Sequence, residues 1–266
     1  MSNNRLDRRT FTATATGFAA GVFATSLTDI SAQEGATPVA TVPQGYVSMR
    51  VRTMASPEGR VAVNDIVIEE FIPDVQQLEG YGGYLLGDVL EDDTQSLSVL
   101  LVNEQSDTAG FDELAAAFVA GLRDTPAGDV VATTQWEGEL LISGYPATST
   151  ATPVASPADT VLRAGYAAVR IHSSLPGTDP RDFVPLATEG FLPLVEGLAG
   201  FEGYLWFPIE GGFVAISLFD SETSAMASTD EALDWAAEFL TEYTDGNPQV
   251  INASIVWAEF PLLSTL

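Results

Sequence analysis

The sequence predicts an α+β protein of two ferredoxin-like βαββαβ repeats, packed sheet to sheet as an intramolecular dimeric α/β barrel. Three observations carry this prediction. Ten residues recur at one fixed spacing, each half reads as strand, helix, two strands, helix and strand, and an Ala/Thr/Pro/Ser stretch separates the halves.

The spacing is 120 residues. It carries Tyr46 to Tyr166, Arg50 to Arg170, Phe71 to Phe191, Pro73 to Pro193, Val75 to Val195 and Leu78 to Leu198. It then carries Gly80 to Gly200, Gly83 to Gly203, Tyr84 to Tyr204 and Leu85 to Leu205. Ten identities in one ungapped register are not chance. A small deletion moves the spacing to 117, so that Leu101 meets Leu218 and Phe118 meets Trp235, and a compensating insertion sets Trp136 opposite Trp257.

Each repeat opens with a strand, YVSMRVR and YAAVRIH, in which Val47, Met49 and Val51 fall on one face and Ser48, Arg50 and Arg52 on the other. A helix follows, with Val67, Phe71, Val75 and Leu78 at helical spacing, matched by Ala187, Phe191, Val195 and Leu198. Gly80 and Gly200 end it. Pro73 and Pro193 lie inside it and predict a kink or a break into short turns. Two strands then pair as a hairpin: Tyr81 to Val89 with Leu97 to Asn103, and Phe201 to Ile209 with Phe213 to Asp220 around Glu210-Gly211-Gly212. The second helix runs from Phe111 to Leu122 and from Ser228 to Tyr243, where Ser228 and Glu231 read as a capping box. Closing strands run from Asp129 to Trp136 and from Gln249 to Trp257. Such a unit leaves one sheet face bare, and a second copy in the same chain covers it.

The N-terminus reads as an address. Arg8-Arg9-Thr10-Phe11 precede a mildly apolar run from Thr12 to Leu27, and Ile30-Ser31-Ala32 offers a cleavage site. This resembles a twin-arginine signal and predicts export to the periplasm, the cell surface or the medium, with no membrane anchor after cleavage. The expected organisation is a signal over 1–32, a linker over 33–45, a repeat over 46–144, a second linker over 145–160 and a second repeat over 161–266.

Composition narrows the function. The charge of −27 comes from 37 acidic residues against ten basic ones, all arginine. Such a surface repels phosphate backbones and anionic lipid, so nucleic acid is not an expected partner. With no cysteine there is no disulfide, thiolate metal site or cysteine nucleophile.

The segments GFLPLVEGLAGFEGYLWF and ISLFDSETSAMASTDEALDWAAEFL resemble the antibiotic-biosynthesis-monooxygenase-like branch of the dimeric α/β-barrel superfamily. The resemblance implies the fold, and a range of chemistries that includes cofactor-free quinone-forming monooxygenases and haem-degrading oxygenases. Haem-degrading members place a histidine in or just after the second helix, with a Trp in that helix and an Asn on the first strand. Here Trp235 and Phe118 hold the aromatic position, neither helix contains a histidine, and the first strands carry Arg and His in place of Asn. No cofactor or metal is expected.

The first strands supply the candidate site. Arg50, Arg52, Arg170 and His172 lie opposite the apolar face, and with that face turned to the helices they are expected to line the barrel. There they would make a pocket for a carboxylate or other small anion, with Tyr84, Tyr204 and Trp206 as walls. The competing expectation is pairing with Glu137, Glu139 or Glu259. His172, the sole histidine, is the candidate general base. Glu91-Asp92-Asp93 reads as a solvated hairpin loop. The expected function is exported binding of a small anionic or aromatic molecule by a monomeric pseudo-dimer. The alternatives are a cofactor-independent monooxygenase-like enzyme using the barrel cavity, and a structural or interaction module.

Overall fold

The computed structural model describes residues 45–123, 125, 127–144 and 164–260. The expected signal, residues 33–44 of the first linker and the whole second linker lie outside the described residues.

β1 (Tyr46–Met54) leads into α1, residues 57–75, whose N-cap Ser56 accepts a hydrogen bond from the Gly59 N–H. β2 (Tyr81–Val89) and β3 (Gln95–Val102) form the hairpin, followed by α2 (Thr108–Leu122), β4 (Val130–Glu139) and the short β5 (Ile142–Gly144). The second half repeats the order with β6 (Tyr166–Ser173), α3 (residues 180–196), β7 (Phe201–Ile209), β8 (Gly212–Phe219), α4 (Glu222–Phe239) and β9 (Gln249–Glu259). β5 was not expected. α4 begins earlier than its pattern suggested, because Ser221 caps it by accepting from the Ser224 N–H, and Ser228 is a fully buried mid-helix residue and not a cap.

The expected kink at the two prolines takes the form of a π-helical turn. The Ile72 N–H bonds to the Val67 carbonyl and the Leu192 N–H to the Ala187 carbonyl, so both turns are one residue wider than an α-turn. Pro73 and Pro193 come next. A proline lacks the N–H of the helix ladder and its ring clashes with the carbonyl four residues back; widening the preceding turn relieves both.

The strands form one sheet. Its order is β4-β1-β3-β2-β9-β6-β8-β7-β5, every pairing is antiparallel, and the same 4-1-3-2 pattern occurs in both halves. Two stacked sheets were expected; instead β2 and β9 pair edge to edge from Tyr84 opposite Glu259 to Val89 opposite Ala253. The sheet curls until its ends approach. The Leu141 N–H donates to the Trp206 carbonyl at 3.1 Å, and a Cβ on Gly138 would lie 1.8 Å from the Pro208 carbonyl oxygen. β2 and β7 also share an irregularity at matched positions, Tyr81/Gly83 and Phe201/Gly203.

Apart from β4, whose residues 131–135 are exposed, both faces of the sheet are buried, and this reverses the expected orientation of β1 and β6. The inner face is a shared apolar cluster that includes Val47, Met49, Val169, Leu205, Phe207 and Ile216. Separate clusters lie beneath the helices of each half. Arg50, Arg52, Arg170 and His172 therefore point to the helix side and do not line the barrel. The physical reason is hydrogen bonding. Among the described residues the curled interior is filled by apolar side chains of the strands and their flanking residues, whereas the helices present the hydroxyls and carboxylates that a guanidinium needs.

Candidate functional site

Arg170 sits in the middle of β6, opposite Ala215 of β8, and its side chain rises toward α4. That helix presents Ala225, Ser228 and Ala232, all nearly fully buried, so small side chains bring its axis close to the sheet. The guanidinium donates to the Ser217 hydroxyl at 3.0 Å, the Ser228 hydroxyl at 2.7 Å and the Thr229 hydroxyl at 3.4 Å. Ser228 in turn donates to the Ala225 carbonyl at 2.7 Å, which leaves an oxygen lone pair directed at the arginine.

Arg170 is 1% exposed, and among the described residues no carboxylate pairs with it. Its Nε has no hydrogen-bond partner there either. Burial lowers its pKa to about 10, leaving it charged at neutral pH. Among the described residues its hydrogen-bond partners are all hydroxyls, in a chain with 37 acidic residues.

His172 lies two residues along the same strand and the same face. Its ring stacks on Phe213 with centroids 4.4 Å apart and planes 13° from parallel, and its buried Nδ1 has no partner among the described residues. Burial first, and then the charge of Arg170, pushes its pKa down to about 4, so it is neutral at physiological pH. Tyr204 and Trp206 on β7, each 1% exposed, form the neighbouring wall, and Phe191 and Trp235 close the helix side with ring centroids 5.2 Å apart. Burial pushes the Tyr204 hydroxyl pKa up, so it stays protonated. These groups surround a cavity of about 30 Å³.

The expected site residues thus divide between two places. Arg170, His172, Tyr204 and Trp206 come together in the second half. Arg52 and Tyr84 line the matching pocket of the first half, only about 10 Å³, where Arg52 donates to the Ser98 hydroxyl at 2.8 Å. Arg50 forms a close ion pair with Asp112 on α2. The expected pairing of these arginines with Glu137, Glu139 or Glu259 does not occur; Glu139 meets Arg181 at 3.5 Å, and Glu259 accepts from Gln76 at 2.6 Å. In the hairpin loop, Asp92 accepts from the Thr94 backbone N–H and hydroxyl, and Glu91 accepts from the Asn252 side chain, so both acids shape the loop. Among the described residues no group of three or more acids or histidines is arranged to hold a metal ion. Ser217, Ser228 and Thr229 were missed, because a serine or threonine inside a strand or helix carries no spacing signal of its own.

No protein-family model matches the chain, and no curated protein matches it in sequence. Solved structures match in fold. A candidate monooxygenase from Fusobacterium nucleatum superposes with a TM-score of 0.58 at 10% identity, over 81% of this chain and 94% of that one. A candidate monooxygenase from Lactobacillus acidophilus gives 0.59 at 8% identity, over 82% and 97%. An anthrone oxidase-like protein gives 0.54 at 16% identity, over 82% and 94%. At these identities the likeness is one of fold: the chain is a mixed α+β protein with the architecture of the dimeric α/β barrels.

Proposed function

We propose that this chain is an exported monomer in which two βαββαβ repeats form a pseudo-dimer, and that it binds a small anion in the sheet–helix pocket of the second half. The carrying observation is Arg170, a buried cation with hydroxyl partners and no carboxylate among the described residues. Burying an unneutralised charge costs several kcal/mol. A bound anion offsets that cost, with the Arg170 Nε as a free donor. The cavity, about 30 Å³, is roughly two to three times the about 10–15 Å³ that holds a single water on the same measure, and far below the several hundred Å³ of a drug-sized site. Of the two ligand classes expected from sequence, the aromatic one is therefore disfavoured, and an anion of a few atoms fits.

The test is calorimetric titration of the full chain with nitrite, azide, formate and bromide. At least one should bind, and Arg170→Met should abolish the binding while the fold persists by circular dichroism. Equal affinity in the variant would remove the basis of the assignment. Export is tested separately: Arg8→Lys with Arg9→Lys should leave the precursor in the cytoplasm.

One observation favours a second reading, a cofactor-independent oxygenase-like enzyme in the same pocket, which would have to widen to admit an aromatic substrate. His172 is neutral, its Nδ1 has no partner among the described residues, and aromatic side chains surround it, in a fold shared with candidate monooxygenases. A neutral imidazole can accept a proton. Oxygen uptake with phenols and hydroquinones that is lost in His172→Ala would establish it; no uptake with either protein would eliminate it.

A further inference from the structure

The two halves contain the same arginine facing the same helix position, and they treat it differently. Arg50 and Arg170 are 120 residues apart on matched strands, and each is paired across the sheet at the equivalent site, Ser98 and Ala215. At the hairpin and second-helix spacing of 117, Phe111 and Asp112 correspond to Ser228 and Thr229. In the first half Phe111, 1% exposed, occupies the place of Ser228, and Arg50 pairs with Asp112. In the second half both positions are hydroxyls, and Arg170 bonds to both.

We infer that the residue at this helix position decides whether a half takes an anion: Asp112 serves as the anion of Arg50 and closes the first half, and Thr229 leaves Arg170 open. The chain accordingly binds one small anion and not two. Arg52 does not provide a second site, because its pocket of about 10 Å³ is at the lower limit for a single water molecule. The inference rests on the anion-binding reading of the second-half pocket and adds to it the selecting residue and the stoichiometry.

Bromide is the probe, because it scatters anomalously and can be counted. Crystals of the full chain soaked in bromide should show one buried peak, at Arg170. Thr229→Asp installs the first half's arrangement, and should weaken bromide binding in solution by about 100-fold or more while raising the melting temperature. Thr229→Asn, similar in size but neutral, should retain binding within about threefold, well inside the effect of one full charge. The reciprocal Asp112→Thr, at a half-exposed position, should add a second bromide peak at Arg50. Bromide binding that survives Thr229→Asp, a wild-type peak at Arg50 or Arg52, or no second peak in Asp112→Thr would each overturn the inference. No wild-type peak at Arg170, with none of the four anions binding in calorimetry, would instead refute the anion pocket itself, so the two failures are separate. If Thr229→Asp does not fold, Asp112→Thr alone decides.

Discussion

Replacing Arg170 with Met separates a binding site from a structural cross-link. The methionine fills a similar volume without the charge. Burial takes the guanidinium pKa well below its usual value, down to about 10, and at about 1.4 kcal/mol per pH unit this is a penalty of about 3 kcal/mol in the folded state. Against it stand the hydroxyl bonds. Ser228 keeps the Ala225 carbonyl as its acceptor, so only Ser217, 0% exposed, loses the partner it has here. A buried hydroxyl left unpaired costs about 1–3 kcal/mol. The expected outcome is unchanged stability or a gain of up to about 2 kcal/mol, as found when buried charges give way to apolar residues. In a domain of this size that is a melting temperature between unchanged and about 6 °C higher. The assay is thermal and urea unfolding of the full chain at pH 7. A loss of more than about 2 kcal/mol would refute the reasoning, since Arg170 would then be holding helix to sheet and its charge would have a structural purpose.

Because the chain has one histidine, a single imidazole resonance reports His172, and it should titrate near pH 4. A midpoint near 6.5 would show a solvated ring. The unfolded chain takes up this proton below about 6.5 and the folded protein only below about 4, so stability falls as pH falls through that window, by up to about 3 kcal/mol in total. His172→Phe should flatten this part of the acid-unfolding profile; an unchanged slope would place the proton uptake elsewhere. At the seam between β4 and β7, Gly138→Ala would push a methyl into the Pro208 carbonyl and should cost about 2–4 kcal/mol, whereas Gly121→Ala, with open space around it, should be neutral or better. Equal unfolding midpoints for the two glycine variants would show that the sheet ends do not meet.

Element order and hairpin positions were legible because they depend on local chemistry: period-two strands, glycines with positive φ at Gly80 and Gly200, and prolines at matched registers. The direction in which β1 and β6 face was not. Alternation separates Val47, Met49 and Val51 from Ser48, Arg50 and Arg52, but when both faces of a sheet are buried it does not say which one meets the helices. Polar satisfaction decides. An arginine turned into the curled interior would lie among Val99, Phe207 and Ile216 with nothing to accept its protons, and the cost of that exceeds any gain from placing valines under the helices.

The same reasoning shows why the candidate site was half legible. Arg170, His172, Tyr204 and Trp206 stood out as rare or large residues on the expected strands, and they do converge. Ser228 was assigned to a cap because a serine three residues before a glutamate imitates one, while the true cap, Ser221, lies seven residues earlier at the end of β8. Carrying the spacing of 117 through the second helix would have set Ser228 and Thr229 against Phe111 and Asp112, and shown one arginine facing a carboxylate and its counterpart facing hydroxyls. What distinguishes Arg50 from Arg170 lies 62 residues along the chain in one half and 59 in the other. Their own strands are nearly identical in pattern; the chemistry of each cation is set by the helix that folds down over it.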